Sequence, residues 1–189
     1  MPEFDPLIYR YASQRSVVYA KNAVCCTSVP LGAQIGLDTI RSGGNAVDAA
    51  VAMAGAMPLL EPTGNGLGAD CFALVWIERE KKLYGLNASG VAPAALSAEK
   101  VRALGCKVMP EEGWLPTMVP GAPAGWAALH ARFGTKPLAE LFAPAIAYAE
   151  EGYPVPVNVA RQWERDSVRI AGAMAKNAAP HEYRVVVKQ

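Results

Sequence analysis

The chain has 189 residues, which is enough for one domain with its own hydrophobic core. Hydrophobic residues make up 52% of it and charged residues 19%, whereas a disordered chain combines low hydrophobicity with high net charge. The formal net charge of +1 creates no long-range field for nucleic acid or an anionic membrane, so we expect neither as a partner.

The sequence shows no secretory signal and no membrane span. Residues 1–14 carry Glu3, Asp5 and Arg10 without an apolar core, and the most apolar stretch, 46–60, contains Asp48. The four cysteines lack the paired spacing of a zinc or redox site, so we interpret them as free thiols in a reducing compartment. We therefore expect a cytoplasmic protein with no metal site and no cofactor.

The first third of the chain contains one strand pattern and two helix patterns. The β-branched run 17–29 predicts a strand, and Pro30 suits the first turn of a following helix that the glycines at 43–44 close. Asn45 is typical of an N-cap and precedes an almost wholly apolar helix over 46–57. A helix without a polar face belongs inside a larger assembly.

The middle of the chain predicts a hairpin. A glycine-rich turn over 61–70 precedes a strand over 71–78, and residues 83–88 are its expected partner. The mixed-sign run 78–82 is expected to form a solvated turn between the two strands. The glycines at 64–68 do not match a phosphate loop, because no lysine follows them and the next element is a strand.

The second half predicts helices only. Ser97 caps a short helix, and after a proline-punctuated loop the patterns indicate helices over 124–133, 137–142, 144–151 and about 158–170. After residue 170 the hydrophobic residues follow neither a helical nor a strand periodicity. We therefore divide the chain into a main portion, 1–170, and a divergent or truncated tail, 171–189.

Few residues suggest chemistry by themselves. The sequence has no G-x-S-x-G motif, and His130 and His181 lack catalytic or metal-binding neighbours. Asp48 is the one charge in its helix, and we expect it to accept hydrogen bonds from backbone N–H groups of the 43–45 turn. The segment Asn87-Ala88-Ser89-Gly90 ends an apolar strand, and it is either the edge of a pocket or a plain strand-to-loop transition.

Several segments, in order, resemble the γ-glutamyltranspeptidase family. Residues 40–50 (IRSGGNAVDAA) are very similar to the signature near the start of these proteins, and the similarity continues through Glu61-Pro62, GLG at 66–68, APA at 92–94, VPG at 119–121 and 143–152. It covers roughly residues 20–165. The resemblance implies an α+β fragment of the four-layer αββα N-terminal-nucleophile (Ntn) hydrolase fold, helix-rich with a few strands, from the N-terminal part of the large subunit.

The resemblance also implies a mechanism. Family members are proenzymes that cleave themselves, and the threonine freed at the N-terminus of the small subunit attacks a γ-glutamyl amide with its own amine as the base. That threonine lies in a Thr-Thr-His type segment far downstream, and no threonine here has that context. We therefore expect no catalytic residue in this chain. Its implied partners are the remainder of the large subunit, the threonine-bearing small subunit and a small-molecule amide.

One departure from the family concerns the substrate. In glutathione-cleaving members an arginine shortly before the Ala-Pro pair holds the glutamyl α-carboxylate, and here that position is Ser89. A hydroxyl cannot replace charge-assisted binding of a carboxylate. We predict Asn87, Ser89 and Gly90 as substrate-binding residues of a divergent, acylase-like γ-glutamyltransferase relative. The alternative is a non-catalytic binding or folding module, or a truncated remnant of such an enzyme.

Overall fold

The computed structural model describes residues 17–111 and 115–177, with side chains given up to residue 172. Within these residues it contains six α-helices and one two-stranded sheet. In chain order the elements are α1 (Pro30–Arg41), α2 (Ala46–Leu60), β1 (Cys71–Ile77), β2 (Lys82–Ala88), α3 (Ala98–Ala103), α4 (Ala122–Phe133), α5 (Leu138–Glu151) and α6 (Val157–Asn177). The predicted helix-rich α+β character is confirmed.

The apolar helix α2 forms the centre of the core. It packs against α1, α4 and α5, and Val51, Ala56 and Leu60 are among its buried residues. Full burial of a large aliphatic side chain contributes roughly 1.5–3 kcal/mol. This packing explains why a helix without a polar face is stable here, as the sequence predicts.

The sheet is an antiparallel hairpin whose register runs from Cys71 opposite Ala88 to Ile77 opposite Lys82. A 3₁₀ turn, Glu78–Glu80, and a left-handed residue at position 81 connect its strands. This exposed connection confirms the predicted solvated turn. Side chains alternate between the two faces of a strand, so one face of the hairpin packs on the core and the other is exposed.

The predicted strand over 17–29 is wrong, because the segment has no regular secondary structure. Its residues 23–28 alternate between half-buried and exposed, and Val29 is buried in the core. The segment therefore lies along the helices with strand-like alternation. A strand also needs a hydrogen-bonded neighbour, and the sheet in the described part of the chain pairs only β1 with β2.

The helices predicted separately over 137–142 and 144–151 form one helix, α5, with Pro144 inside it. Proline inside a helix costs about 3 kcal/mol. Leu141 before the proline belongs to the core cluster, and Ala145 and Tyr148 after it pack against that cluster. This burial offsets the cost. Pro144 by itself favours the start of a new helix, but core packing on both sides keeps α5 continuous. The prediction of two separate helices is therefore wrong.

The last helix, α6, runs through the division that the sequence suggests at residue 170 and is described up to Asn177. Residues 178–189, which include His181 and most of the expected tail, lie outside the described residues. The division into 1–170 and 171–189 stays a prediction. In the described ranges, no helix combines the length and the apolar character needed to cross a membrane.

Candidate functional site

The three predicted substrate-binding residues lie where β2 ends, in residues 87–90, which we name the Ser89 turn. The side-chain oxygen of Asn87 accepts a hydrogen bond from the Ser89 backbone N–H at 3.0 Å. The Ser89 hydroxyl donates to the Gly90 carbonyl at 3.3 Å. Asn87 is exposed, whereas Ser89 and Gly90 are half-buried. The structure therefore places these residues together at the end of the hairpin where β2 finishes.

Gly90 has a conformation and surroundings that only glycine tolerates. Its φ is +78°, in the region where a side chain is strained. A Cβ at this position would also overlap the Val119 carbonyl oxygen. The loop that contains Val119 runs alongside, because the Val119 N–H donates to the Val91 carbonyl at 2.9 Å.

The same loop is held from its other side by the end of the glycine-rich turn, just before β1. The N–H groups of Gly121 and Ala122 both donate to the Ala69 carbonyl, at 3.1 and 2.9 Å. Three segments therefore meet at one end of the hairpin: the end of the glycine-rich turn, the Ser89 turn and the 119–121 loop. Of these, the 119–121 loop carries the family resemblance, whereas the Ser89 turn departs from it. The sequence indicated each segment separately, but their meeting depends on tertiary packing.

The chemistry of this site is that of neutral hydrogen bonding. The Ser89 hydroxyl donates to a backbone carbonyl, whereas an activated nucleophile needs a neighbouring base. The turn 87–90 offers an amide, a hydroxyl and backbone groups, and it contributes no cation. In the part of the chain that the structure describes, no group of three or more His, Cys, Asp and Glu residues could hold a metal ion.

Asp48 lies elsewhere, in a buried cluster that joins the start of α2 to the loop between α4 and α5. Its carboxylate accepts hydrogen bonds from the Asn45 N–H at 2.9 Å, from the Thr135 N–H at 2.9 Å and hydroxyl at 2.5 Å, and from the Lys136 N–H at 3.3 Å. Burial alone would raise the pKa of Asp48, but the bonds from Thr135, Asn45 and Lys136 together hold that pKa below its ordinary value. This cluster is structural.

The predicted partners of Asp48 are correct in part. Asn45 donates to Asp48 as expected and also caps α2 with its own side chain. Gly43 and Gly44 instead donate to carbonyls of α1. Thr135 and Lys136, 87 and 88 residues away in sequence, are the partners that sequence reasoning missed.

Two solved structures share this arrangement of helices and hairpin. The cephalosporin acylase from Bacillus halodurans matches with a TM-score of 0.79 and 52% sequence identity, over 90% of this chain and 32% of that one. The γ-glutamyltranspeptidase of Helicobacter pylori matches with a TM-score of 0.76 and 29% identity, over 84% of this chain and 46% of that one. The described elements are therefore part of the Ntn-hydrolase fold that the resemblance implied.

Sequence comparison agrees with the fold. The family described as Gamma-glutamyltranspeptidase matches residues 32–185. Glutathione hydrolase proenzyme 1 of Schizosaccharomyces pombe is 33% identical over 153 residues, which are 81% of this chain and 24% of that protein. The chain belongs to the γ-glutamyltranspeptidase family. It spans about a quarter of the length of the curated relatives it matches (24%, 23% and 25% for three of them).

Proposed function

We propose that this chain forms one wall of the acyl pocket in a γ-glutamyltransferase-like amidohydrolase, which transfers an acyl group from an amide to water or to an amine. The observation that carries the proposal is the position of the Ser89 turn, which meets the 119–121 loop of the family resemblance at the end of the hairpin. Neutral donors and acceptors at a strand end suit the binding of an acyl chain and its carbonyl group. Asn87, Ser89 and the Gly90 backbone are the proposed contacts.

We assign the bond-breaking step to residues outside this chain. The family resemblance implies a threonine nucleophile on a small subunit, whose own amine removes the proton from its hydroxyl. Backbone N–H donors would then stabilise the tetrahedral intermediate. The proposed partners are accordingly the remainder of the large subunit and the threonine-bearing small subunit. A cytoplasmic location fits the four free cysteines, and fractionation of the host cells tests it.

The proposed substrate is an amide whose acyl group lacks the amino acid head of glutamate. Ser89 occupies the position at which the resemblance places the carboxylate-binding arginine of glutathione-cleaving members. A hydrogen bond to a charged group contributes about 1.5–3 kcal/mol, and the turn has no charge to supply it. The 52% identity to a protein described as a cephalosporin acylase supports the same acylase-like subgroup.

The test compares two substrates of one enzyme. The protein encoded by the gene is assayed with glutaryl-p-nitroanilide and γ-glutamyl-p-nitroanilide, and we expect the glutaryl amide to be cleaved at least as efficiently. The variant Ser89→Arg should increase the relative kcat/KM for the γ-glutamyl amide by tenfold or more, about 1.4 kcal/mol. Ser89→Gln, of similar bulk but uncharged, is the matched control and should not.

Two results would contradict this proposal in different ways. A wild-type preference of about a hundredfold for the γ-glutamyl amide, or about 2.8 kcal/mol, would mean that another cation binds the α-carboxylate. Ser89 would then be the wrong residue. No hydrolysis of any amide by the protein as its gene encodes it would favour the alternative, a non-catalytic module or a remnant of such an enzyme.

A further inference from the structure

We propose that Gly121 and Gly125, at the start of α4, are positioning residues that determine where the Ser89 turn lies. The inference rests on the proposed function, because it assumes that this turn contacts the acyl group. Neither glycine belongs to the turn itself. Both act through Ala88, the residue between Asn87 and Ser89.

Gly121 contacts the turn through backbone atoms alone. A Cβ at position 121 would overlap the Ala88 carbonyl oxygen and the Gly90 backbone nitrogen. Backbone atoms cannot rotate away as the end of a side chain can. An added methyl group at 121 therefore has to move either the end of β2 or the loop, and the bond from the Gly121 N–H to the Ala69 carbonyl holds the loop in place.

Gly125, one helical turn later, faces the last residue pair of the hairpin. A Cβ there would lie 2.8 Å from the Ala88 Cβ and 3.1 Å from the Cys71 Cβ. Cys71 and Ala88 are directly opposite each other in the sheet register. Gly125 is itself buried, so α4 rests directly on the small side chains of Ala88 and Cys71 at the end of the sheet.

This contact gives the turn a fixed position relative to the core. Trp126 and Leu129 of α4 are buried in the core cluster, so the helix cannot easily retreat from the sheet. A methyl group added between α4 and the end of the sheet therefore displaces Ala88. The planar peptides on both sides of Ala88 then move Asn87 and Ser89 with it. Displacing a binding group by about 1 Å can reduce activity up to about a hundredfold.

The experiment adds a methyl group at position 125 and then removes the methyl group of Ala88 on the other side of the contact. In the protein encoded by the gene, Gly125→Ala should raise KM for the preferred amide by about tenfold. The double variant Gly125→Ala with Ala88→Gly removes the nearest atom that the new Cβ would meet and leaves the longer contact with Cys71. It should return KM to within about threefold of the wild type. This rescue identifies the contact between residues 125 and 88 as the cause.

Two control variants separate positioning from loss of stability. Gly55→Ala is crowded to a similar degree, with its Cβ 2.5 Å from the Phe142 ring, but it lies between α2 and α5. It should lower the melting temperature and leave KM unchanged, because a smaller folded fraction reduces the apparent kcat and not KM. Gly85→Ala on β2 meets only Leu74 Cδ2 at 3.8 Å and should change neither quantity.

The outcomes distinguish this inference from the function on which it rests. If Gly125→Ala lowers the melting temperature as Gly55→Ala does and KM stays constant, while Ser89→Arg still alters the substrate preference, the positioning role is wrong. If Ser89→Arg also alters nothing, the proposed pocket is wrong instead. If Gly125→Ala yields no soluble protein, Ala88→Gly alone decides: it should raise KM by about threefold or more, and an unchanged KM overturns the inference.

Discussion

At the scale of single residues, the Asp48 cluster shows how a charge is accommodated in an apolar helix. Asp48 is completely buried, and its two oxygens accept four hydrogen bonds from Asn45, Thr135 and Lys136. The sequence predicted the local part of this arrangement, because an N-cap and a carboxylate three residues later form a known pattern. It could not predict Thr135, since nothing near that residue indicates contact with α2.

We expect Asp48→Asn to lower the free energy of unfolding by about 2–4 kcal/mol at pH 7, because its amide NH₂ faces N–H donors and leaves them unpaired. Since the folded pKa of Asp48 is lowered, its charged form stabilises the fold above the unfolded pKa of about 3.9. That stabilisation is lost as the pH falls through the folded value. Denaturant unfolding should therefore show the difference between wild type and variant shrinking below about pH 4.

Thr135→Val is the milder control, because it removes one hydroxyl donor and leaves the carboxylate with its backbone partners. It should cost about 1–2 kcal/mol. An Asp48→Asn difference that stays constant from pH 7 to pH 2 would show that the carboxylate has the same pKa in the folded and unfolded protein.

At the scale of elements, local sequence patterns predicted the hairpin and the helix caps correctly. They failed for elements whose conformation depends on tertiary contacts. Residues 23–28 do alternate between half-buried and exposed, but this alternation does not produce a strand without a paired neighbour. Pro144 marks a break in the sequence, yet core packing on both sides keeps α5 continuous. The Ser89 turn could be placed at the end of β2, whereas its contact with the 119–121 loop could not be derived from spacing.

The exposed face of the hairpin gives a prediction at this scale. Phe72, Leu74 and Trp76 are 64%, 77% and 53% exposed on one face, and the fold implied by the family stacks two sheets. An isolated two-stranded hairpin is marginally stable, and an open apolar face favours association. We expect the isolated 189-residue chain to self-associate and bind apolar dyes. Leu74→Lys should reduce both in size-exclusion light scattering and dye titration.

Ile146→Lys is the matched control, because Ile146 is also exposed, at 53%, but lies on α5 away from the sheet. It should reduce association much less. A monodisperse monomer of the isolated chain, with one cooperative unfolding transition and no dye binding, would instead indicate a self-sufficient module.

At the scale of the whole molecule, the family and the fold class could be predicted from the order of many short segments. The chain matches solved family members over 84–90% of its own length. The substrate and the catalytic partners stay proposals, because this chain spans about a quarter of the length of its relatives. The proposed replacement of the family's arginine by Ser89 bears on the substrate, because it would remove a charge.

The central proposal is that this chain supplies one wall of the acyl pocket of an Ntn hydrolase and that the nucleophile lies outside this chain. The direct measurement is amide hydrolysis by a chimera in which residues 32–172 replace the matching segment of the Bacillus halodurans acylase, which is 52% identical. We predict that the chimera cleaves the amide that the acylase cleaves, and that the purified 189-residue chain alone cleaves none. A folded but inactive chimera, or turnover by the chain alone in proportion to its concentration, would contradict the account.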